Sequence, residues 1–266
     1  MYFIGPVTAI SEICGTNGLS MAQYILHKAE SRGHDHLEWL DSKKTFSFAD
    51  YYNPKRMGFG ALRVLNDDTV AGGKGFGAHP HDNMEIISIP LEGSLQHEDN
   101  AGNKKVVTAG HVQIMSTGSG VFHSEYNYSD SLPAKFLQIW VYPEALNTAP
   151  RYAQIALPDA LRRDQLYEFI KPNGDGSTGT IRKDTWFSIG TFNNDSQVNY
   201  PVHKSGNGVY VFVITGSFTI DGRELQTRDG MGVWDADTIT IRSLSDQAEL
   251  LLMDVPMTTY KLPSHG

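Results

Sequence analysis

Leu91-Glu92-Gly93-Ser94-Leu95 returns later in the chain as Ile214-Thr215-Gly216-Ser217-Phe218, and this repeat decides the architecture. In both copies an apolar run meets a glycine and restarts as an alternating run, the pattern of two strands joined by a turn. A second matched turn follows each copy. Gly110 stands before His111-Val112-Gln113-Ile114-Met115, and Gly230 before Met231-Gly232-Val233-Trp234. The copies lie about 120 residues apart, roughly the length of one small β-barrel. The spacing predicts two similar β-domains in tandem.

Working outward, most of the chain consists of short apolar or alternating runs bounded by Gly, Pro, Asn and Asp, an all-β signature. Gly58 to Leu65, Glu85 to Pro90, Val112 to Met115 and Phe136 to Val141 are such runs in the first half. Val209 to Ile214, Phe218 to Ile220 and Glu249 to Met253 follow in the second. Asp221-Gly222 between two of them signals a hairpin, because both turn positions favour positive φ. One helix is expected, around Asp159 to Phe169. Three prolines and a break in periodicity between Pro143 and Pro158 mark a boundary. The division predicted is an extension over 1–20, a first barrel over 21–150 and a second over 151–266.

The chain has 266 residues, 40% apolar and 11% aromatic, enough for one large or two middling cores. Its net charge of −8 argues against nucleic acid, whose binding rests on Lys and Arg neutralising phosphates, and against anionic membranes. A small molecule is the expected partner. Cys14 stands alone, which excludes an intrachain disulfide and a thiolate cluster and fits a reducing compartment. No apolar run reaches bilayer-spanning length, and the first twenty residues lack the basic start of an export signal. A cytoplasmic protein is expected.

Chemistry enters at Gly73-Lys74-Gly75-Phe76-Gly77-Ala78-His79-Pro80-His81. Residues i and i+2 of a strand project from one face, so His79 and His81 can present two imidazoles to one point. Gly118-Ser119-Gly120-Val121-Phe122-His123-Ser124-Glu125 offers a second pair with the same spacing. Two strands giving two inward ligands each make a four-ligand pocket for one divalent metal. Imidazole plus carboxylate suits Fe, Mn, Co, Ni, Cu or Zn, not Ca or Mg. Glu85 follows His81 by four and would also face inward, so the set His79, His81, Glu85 and His123 stays open beside His79, His81, His123 and Glu125. His34-Asp35-His36 lacks a partner pair and is expected in a surface loop. His97 and His111 are expected to face solvent or to be structural.

The repeat supplies a control. His79 and His81 lie 14 and 12 residues before Gly93, and the same offsets from Gly216 fall on Val202 and Lys204, with His203 facing the other way. His123 lies 13 after Gly110, and 13 after Gly230 is Ser243. The second domain is expected to hold no metal.

Further stretches carry a resemblance: Arg32-Gly33-His34, Trp39-Leu40-Asp41-Ser42, Thr45-Phe46-Ser47-Phe48-Ala49, Gly60-Ala61-Leu62-Arg63-Val64 and Gln113-Ile114-Met115-Ser116, together with the motifs above. Over roughly residues 21 to 255 the chain resembles the pirin family of bicupins, and most closely its bacterial members with quercetin 2,3-dioxygenase activity. The resemblance implies two stacked cupin barrels with metal, iron most often, in the first alone. It places the ligands on His79, His81, His123 and Glu125, and so favours Glu125 over Glu85. It also implies oxidative opening of a flavonol-like ring by O2, the metal acting as Lewis acid and template and Glu125 as ligand and proton acceptor. Either Phe46 or Phe48 would line the barrel mouth, or both would pack in the core. The rival reading is a metal-binding, redox-responsive regulatory protein that works through a protein partner.

Overall fold

The computed structural model describes residues 21–174, 178–181 and 183–258; the extension expected over 1–20 lies outside them. Among the described residues the backbone is almost wholly β, in four antiparallel sheets. A seven-stranded sheet runs, in spatial order, Arg151–Ala156, His111–Ser116, Glu85–Glu92, Ala134–Val141, Leu62–Val70, Leu40–Lys44, Gly33–His36. A four-stranded sheet, Gly75–His81, Val121–Asn127, Ser94–Asp99 and Lys104–Thr108, faces it to complete the first barrel. In the second barrel a six-stranded sheet containing Asn207–Thr215 and Ala248–Pro256 faces a four-stranded one containing Ser217–Ile220 and Thr238–Ser243.

Strand alternation explains how the barrels stack. On the seven-stranded sheet Ile87, Ile89, Leu137 and Ile139 face outward and meet Phe187, Ile189, Phe212 and Leu251 of the six-stranded sheet in one buried cluster. The opposite face of the six-stranded sheet gives Val209, Val211, Val213, Leu250 and Leu252 to the interior of the second barrel. There they pack on Phe218, Ile220 and Ile241, which fill the middle of that barrel, while Ser188, Asn207 and Asp254 on the same strand faces are buried at one end. The first barrel's interior is different. Its apolar residues fall into two small separate groups, one around Phe136 and Leu95, the other around Ile86 and Met115. Polar side chains occupy the space between.

The repeat is visible in backbone angles. Gly93 and Gly216 have φ of 76° and 78°, a left-handed turn that favours glycine. The second matched glycine differs from expectation. Gly110 is a turn residue at φ 83°, whereas Gly230 opens a strand and the left-handed turn residue is Arg228, at φ 68°. A Cβ on Gly230 would come within 2.4 Å of the Tyr210 hydroxyl, so close packing accounts for that glycine. Asp221 and Gly222 both have positive φ, 46° and 76°, as the hairpin reading requires.

The helix expected over 159–169 is corrected to a single 3-10 turn, Asp159–Leu161, followed by the strand Tyr167–Ile170. Asp164, at φ 51°, breaks any helix, and Tyr167 and Phe169 lie two apart and pack against the central core as strand residues do. The run expected from Gly58 becomes strand only at Leu62. Two strands also cross the 150/151 division. Gln23–His27 pairs with Gly230–Trp234 in the second barrel, and Arg151–Ala156 pairs with His111–Ser116 in the first.

Candidate metal centre

Gly75–His81 and Val121–Asn127 pair antiparallel, with His79 opposite His123 and His81 opposite Val121. Residues opposite one another share a face, so the histidines of both motifs enter the barrel together. A register shift between His123 and Glu125 puts Glu125 opposite Phe76. Gly75 permits this close pairing, since a Cβ there would lie 2.3 Å from the Glu125 carbonyl oxygen. On its other edge Val121–Asn127 pairs with Ser94–Asp99, setting Asp99 opposite His123 and His97 opposite Glu125.

The three imidazoles form a compact triangle. Ring centroids are 4.5 Å apart for His79 and His123, 4.7 Å for His79 and His81, and 4.9 Å for His81 and His123. One ligand atom from each lies within 4.8 Å of the others, and Nε2 of His123 is 3.1 Å from Nε2 of His79. Nδ1 of His79 donates to the Gly77 carbonyl at 2.7 Å, which leaves the Nε2 lone pair directed at the centre. Burial, with its histidine neighbours, lowers His81 to about 4 and His123 to about 3. Both are therefore neutral near pH 7, the form that binds a metal.

Glu125 stands behind this triangle. Its ligand oxygen groups with His97 and His123, not with all three histidines. Oε1 accepts from Gln113 Nε2 at 2.8 Å and Oε2 from Gln138 Nε2 at 2.9 Å, while Ser88 Oγ, 3.3 Å from Oε1, donates its one proton to the Gln138 carbonyl oxygen at 2.7 Å. Gln138, Ser88 and Gln113 sit directly opposite one another on three neighbouring strands, and Asn66 continues the row. This polar rung is what separates the two apolar groups of the first barrel.

Of the two readings expected for His97, the structure gives the structural one and not the solvent-facing one. It is fully buried, and its Nδ1 lies 3.3 Å from Nδ1 of His123. Its Nε2 is 3.0 Å from Asp99 Oδ2, and Asp99 in turn accepts backbone N–H bonds from Ala101 and Asn103. One proton arrangement satisfies the whole row. His97 donates from Nε2 to Asp99, His123 donates from Nδ1 to His97, and Nε2 of His123 is left free at the centre. A carboxylate–histidine pair thus orients a third ring, as outer partners of metal-bound imidazoles do.

The remaining sequence candidates separate cleanly. Glu85 is buried in the seven-stranded sheet opposite Ser116, whose hydroxyl donates to it, and it joins none of the ligand groups found among the described residues. His111 is exposed at the start of its strand. His34 and His36 are exposed, but they lie on the strand Gly33–His36 and not in a loop. In the second barrel Lys204 pairs with Asp184, Ser243 bonds the Ser245 carbonyl, and His203 sits between Asp254 and Glu168. Phe46 is buried in the central core.

Beside the histidines lies a cavity of about 210 Å³ walled by Phe48, Phe76 and Trp140, with Asn66, Asp68, Gln138 and Glu125 as its polar lining. The Trp140 ring stands edge-on to His81 at 4.8 Å and to Phe48 at 5.2 Å. The donor set fits a borderline divalent transition metal: three imidazoles and a carboxylate, with space on one side for further ligands.

Comparisons agree with this architecture barrel by barrel. Residues 26–141 match the Pirin family model, and residues 169–255 match that of the quercetinase C-terminal cupin domain. The chain is 42% identical over 231 residues to quercetin 2,3-dioxygenase of Escherichia coli K12, covering 87% of this chain and 98% of that protein. It is 39% identical over 223 residues to a pirin-like protein of Caulobacter vibrioides, covering 84% and 94%. Among solved structures it is similar to the bacterial pirin YhhW in complex with nickel(II) from Escherichia coli, with TM-score 0.83, 40% identity and cover of 88% and 99%. The fold is a bicupin, and the chain belongs to the pirin family.

Proposed function

We propose that this chain is a metal-dependent dioxygenase that opens the ring of a flavonol-like substrate such as quercetin with O2. The observation that carries the reading is the triangle of three imidazoles, His123 buried and His79 and His81 half-buried, at the side of an aromatic-walled cavity, backed by a hydrogen-bonded carboxylate. The name of the Escherichia coli relative supports the same chemistry. His79, His81 and His123 would hold the metal with Glu125. Iron is the first choice, with Cu, Mn, Co, Ni or Zn also suited to the donors. Metal would sit in residues 21–150 and not in 151–266, where none of the ligand groups among the described residues lies. A cytoplasmic setting goes with this reading, given the single cysteine. Among the described residues no helix is long and apolar enough to cross a membrane.

When bound, the metal supplies Lewis-acid polarisation of the substrate hydroxyl and a template for O2. The chain's own residues do the rest. Phe48, Phe76 and Trp140 clasp the ring system and exclude water. Each oxygen of Glu125 accepts one amide hydrogen bond and keeps a spare lone pair, so the carboxylate can take the substrate proton. Gln113 and Gln138 hold that carboxylate in place. The direct test is anaerobic metal reconstitution followed by quercetin and air. Loaded protein should consume quercetin with uptake of one O2 and release of carbon monoxide, and metal-stripped protein should not. Equal activity of free metal ion would remove the enzymatic reading.

Two further outcomes arise from the geometry. His81 and His123 have folded pKa values of about 4 and about 3, below the ordinary 6.5, so neither needs to lose a proton for metal to enter near neutrality. These two rings should add no pH dependence to metal affinity between pH 7 and about 5 and a steep one below about 4, where they become protonated. A chelator-competition titration across that range checks it; a loss near neutrality steeper than one proton per metal contradicts it. Replacing His97 by alanine should weaken metal binding about 10- to 100-fold, because His123 loses the acceptor that fixes its tautomer. The same titration reads this, and an unchanged constant removes His97 from the support.

A further inference from the structure

His34-Asp35-His36 is the one histidine motif that the proposed reaction leaves unused, and the fold supplies it with a third ligand. Gly33–His36 pairs with Leu40–Lys44 as a hairpin at the edge of the seven-stranded sheet, with Asp41 directly opposite His36. Nε2 of His34 and Nδ1 of His36 each lie 2.9 Å from the same atom, Oδ2 of Asp41. All three ligand atoms fall within 4.8 Å of one another. We propose that His34, His36 and Asp41 form a second, peripheral site for a borderline divalent transition metal such as Zn²⁺, Ni²⁺ or Cu²⁺.

The argument is geometric. Nitrogen and oxygen ligands sit about 2.0–2.2 Å from zinc, so neighbouring ligands around one ion lie roughly 3.0–3.5 Å apart. The two imidazole–carboxylate separations are already close to that, and opening the triad to admit an ion asks for small side-chain rotations only. Asp35, between the histidines, points away and pairs with the buried Lys44, so it neither competes for the ion nor closes the site. Lys43, opposite His34 on the hairpin, is a charge that opposes a cation. The three side chains are 40%, 76% and 38% exposed, so solvent fills the remaining positions and the ion exchanges freely. Two imidazoles and one carboxylate select against Ca²⁺ and Mg²⁺.

The test uses the full chain stripped of metal and titrated calorimetrically with Zn²⁺ alone at neutral pH. It compares wild type with His34→Gln/His36→Gln and with His79→Gln/His81→Gln. Circular dichroism confirms that each variant is folded. The expected result is two equivalents in wild type and one in each double variant, with ¹⁵N shifts marking Nε2 of His34 and Nδ1 of His36 as ligating atoms. One equivalent in wild type, kept by His34→Gln/His36→Gln, overturns the peripheral site and leaves the interior centre standing. Two equivalents retained by His34→Gln/His36→Gln overturn it equally. One equivalent lost only in His34→Gln/His36→Gln supports the peripheral site and overturns the interior one, so the two readings fail separately.

Discussion

Substituting glutamine for His123 should abolish tight metal binding by the first barrel. This ring is the hub of the cluster. It is 1% exposed, its Nε2 is 3.1 Å from His79, and its Nδ1 is 3.3 Å from His97. Loss of an outer hydrogen-bond partner costs about 10- to 100-fold in affinity, so loss of a direct ligand should exceed that range. Glutamine keeps polar atoms near His97, and the metal-free variant should melt close to metal-free wild type. The measurement is competition against a chelator, made in a His34→Gln/His36→Gln background so that the surface triad does not contribute. Affinity within tenfold of the parent would exclude His123 from the ligand set.

Much of this was legible because strand chemistry is local. The i, i+2 spacing of His79 with His81 and of His123 with Glu125 needs only strand periodicity to predict a shared face, and the register then sets His79 opposite His123. Gly93 and Gly216 gave away the tandem barrels through a turn that favours glycine. Other features depend on pairings between distant strands. Asp41 reaches His34 and His36 through a local hairpin, but His97 reaches His123 only because Ser94–Asp99 pairs with Val121–Asn127. Gln23–His27 joins the second barrel across about 200 residues of sequence, a contact that no local pattern announces. One signal lay in plain view. Ser88, Gln113 and Gln138 each interrupt an apolar run with a single polar residue. A buried polar group needs a partner. Three such interruptions in neighbouring strands imply a shared polar object inside the barrel, and Glu125 is that object.

The second large effect is on turnover. Loaded at saturating metal, Glu125→Gln should lower kcat by about 10²- to 10⁴-fold, the usual worth of a positioned proton acceptor. The substitution keeps the shape of the side chain and removes its charge and its basic oxygen. It also sets an NH2 where Gln113 or Gln138 now donates. That clash has a local remedy. The Gln138 carbonyl at present accepts from Ser88, and turning that amide over would present an acceptor to the new NH2. The cost should be about 1–3 kcal/mol, that of one poorly satisfied buried group, and not the loss of the barrel. A substrate whose hydroxyl is already ionised needs no acceptor. Raising pH towards the flavonol's own ionisation should therefore recover part of the rate in Glu125→Gln and leave wild type nearly unchanged. This recovery distinguishes proton transfer from a purely structural role, for which the defect would be the same at every pH. Turnover near the wild-type rate in metal-loaded Glu125→Gln would remove the carboxylate from the chemistry and leave only the three imidazoles.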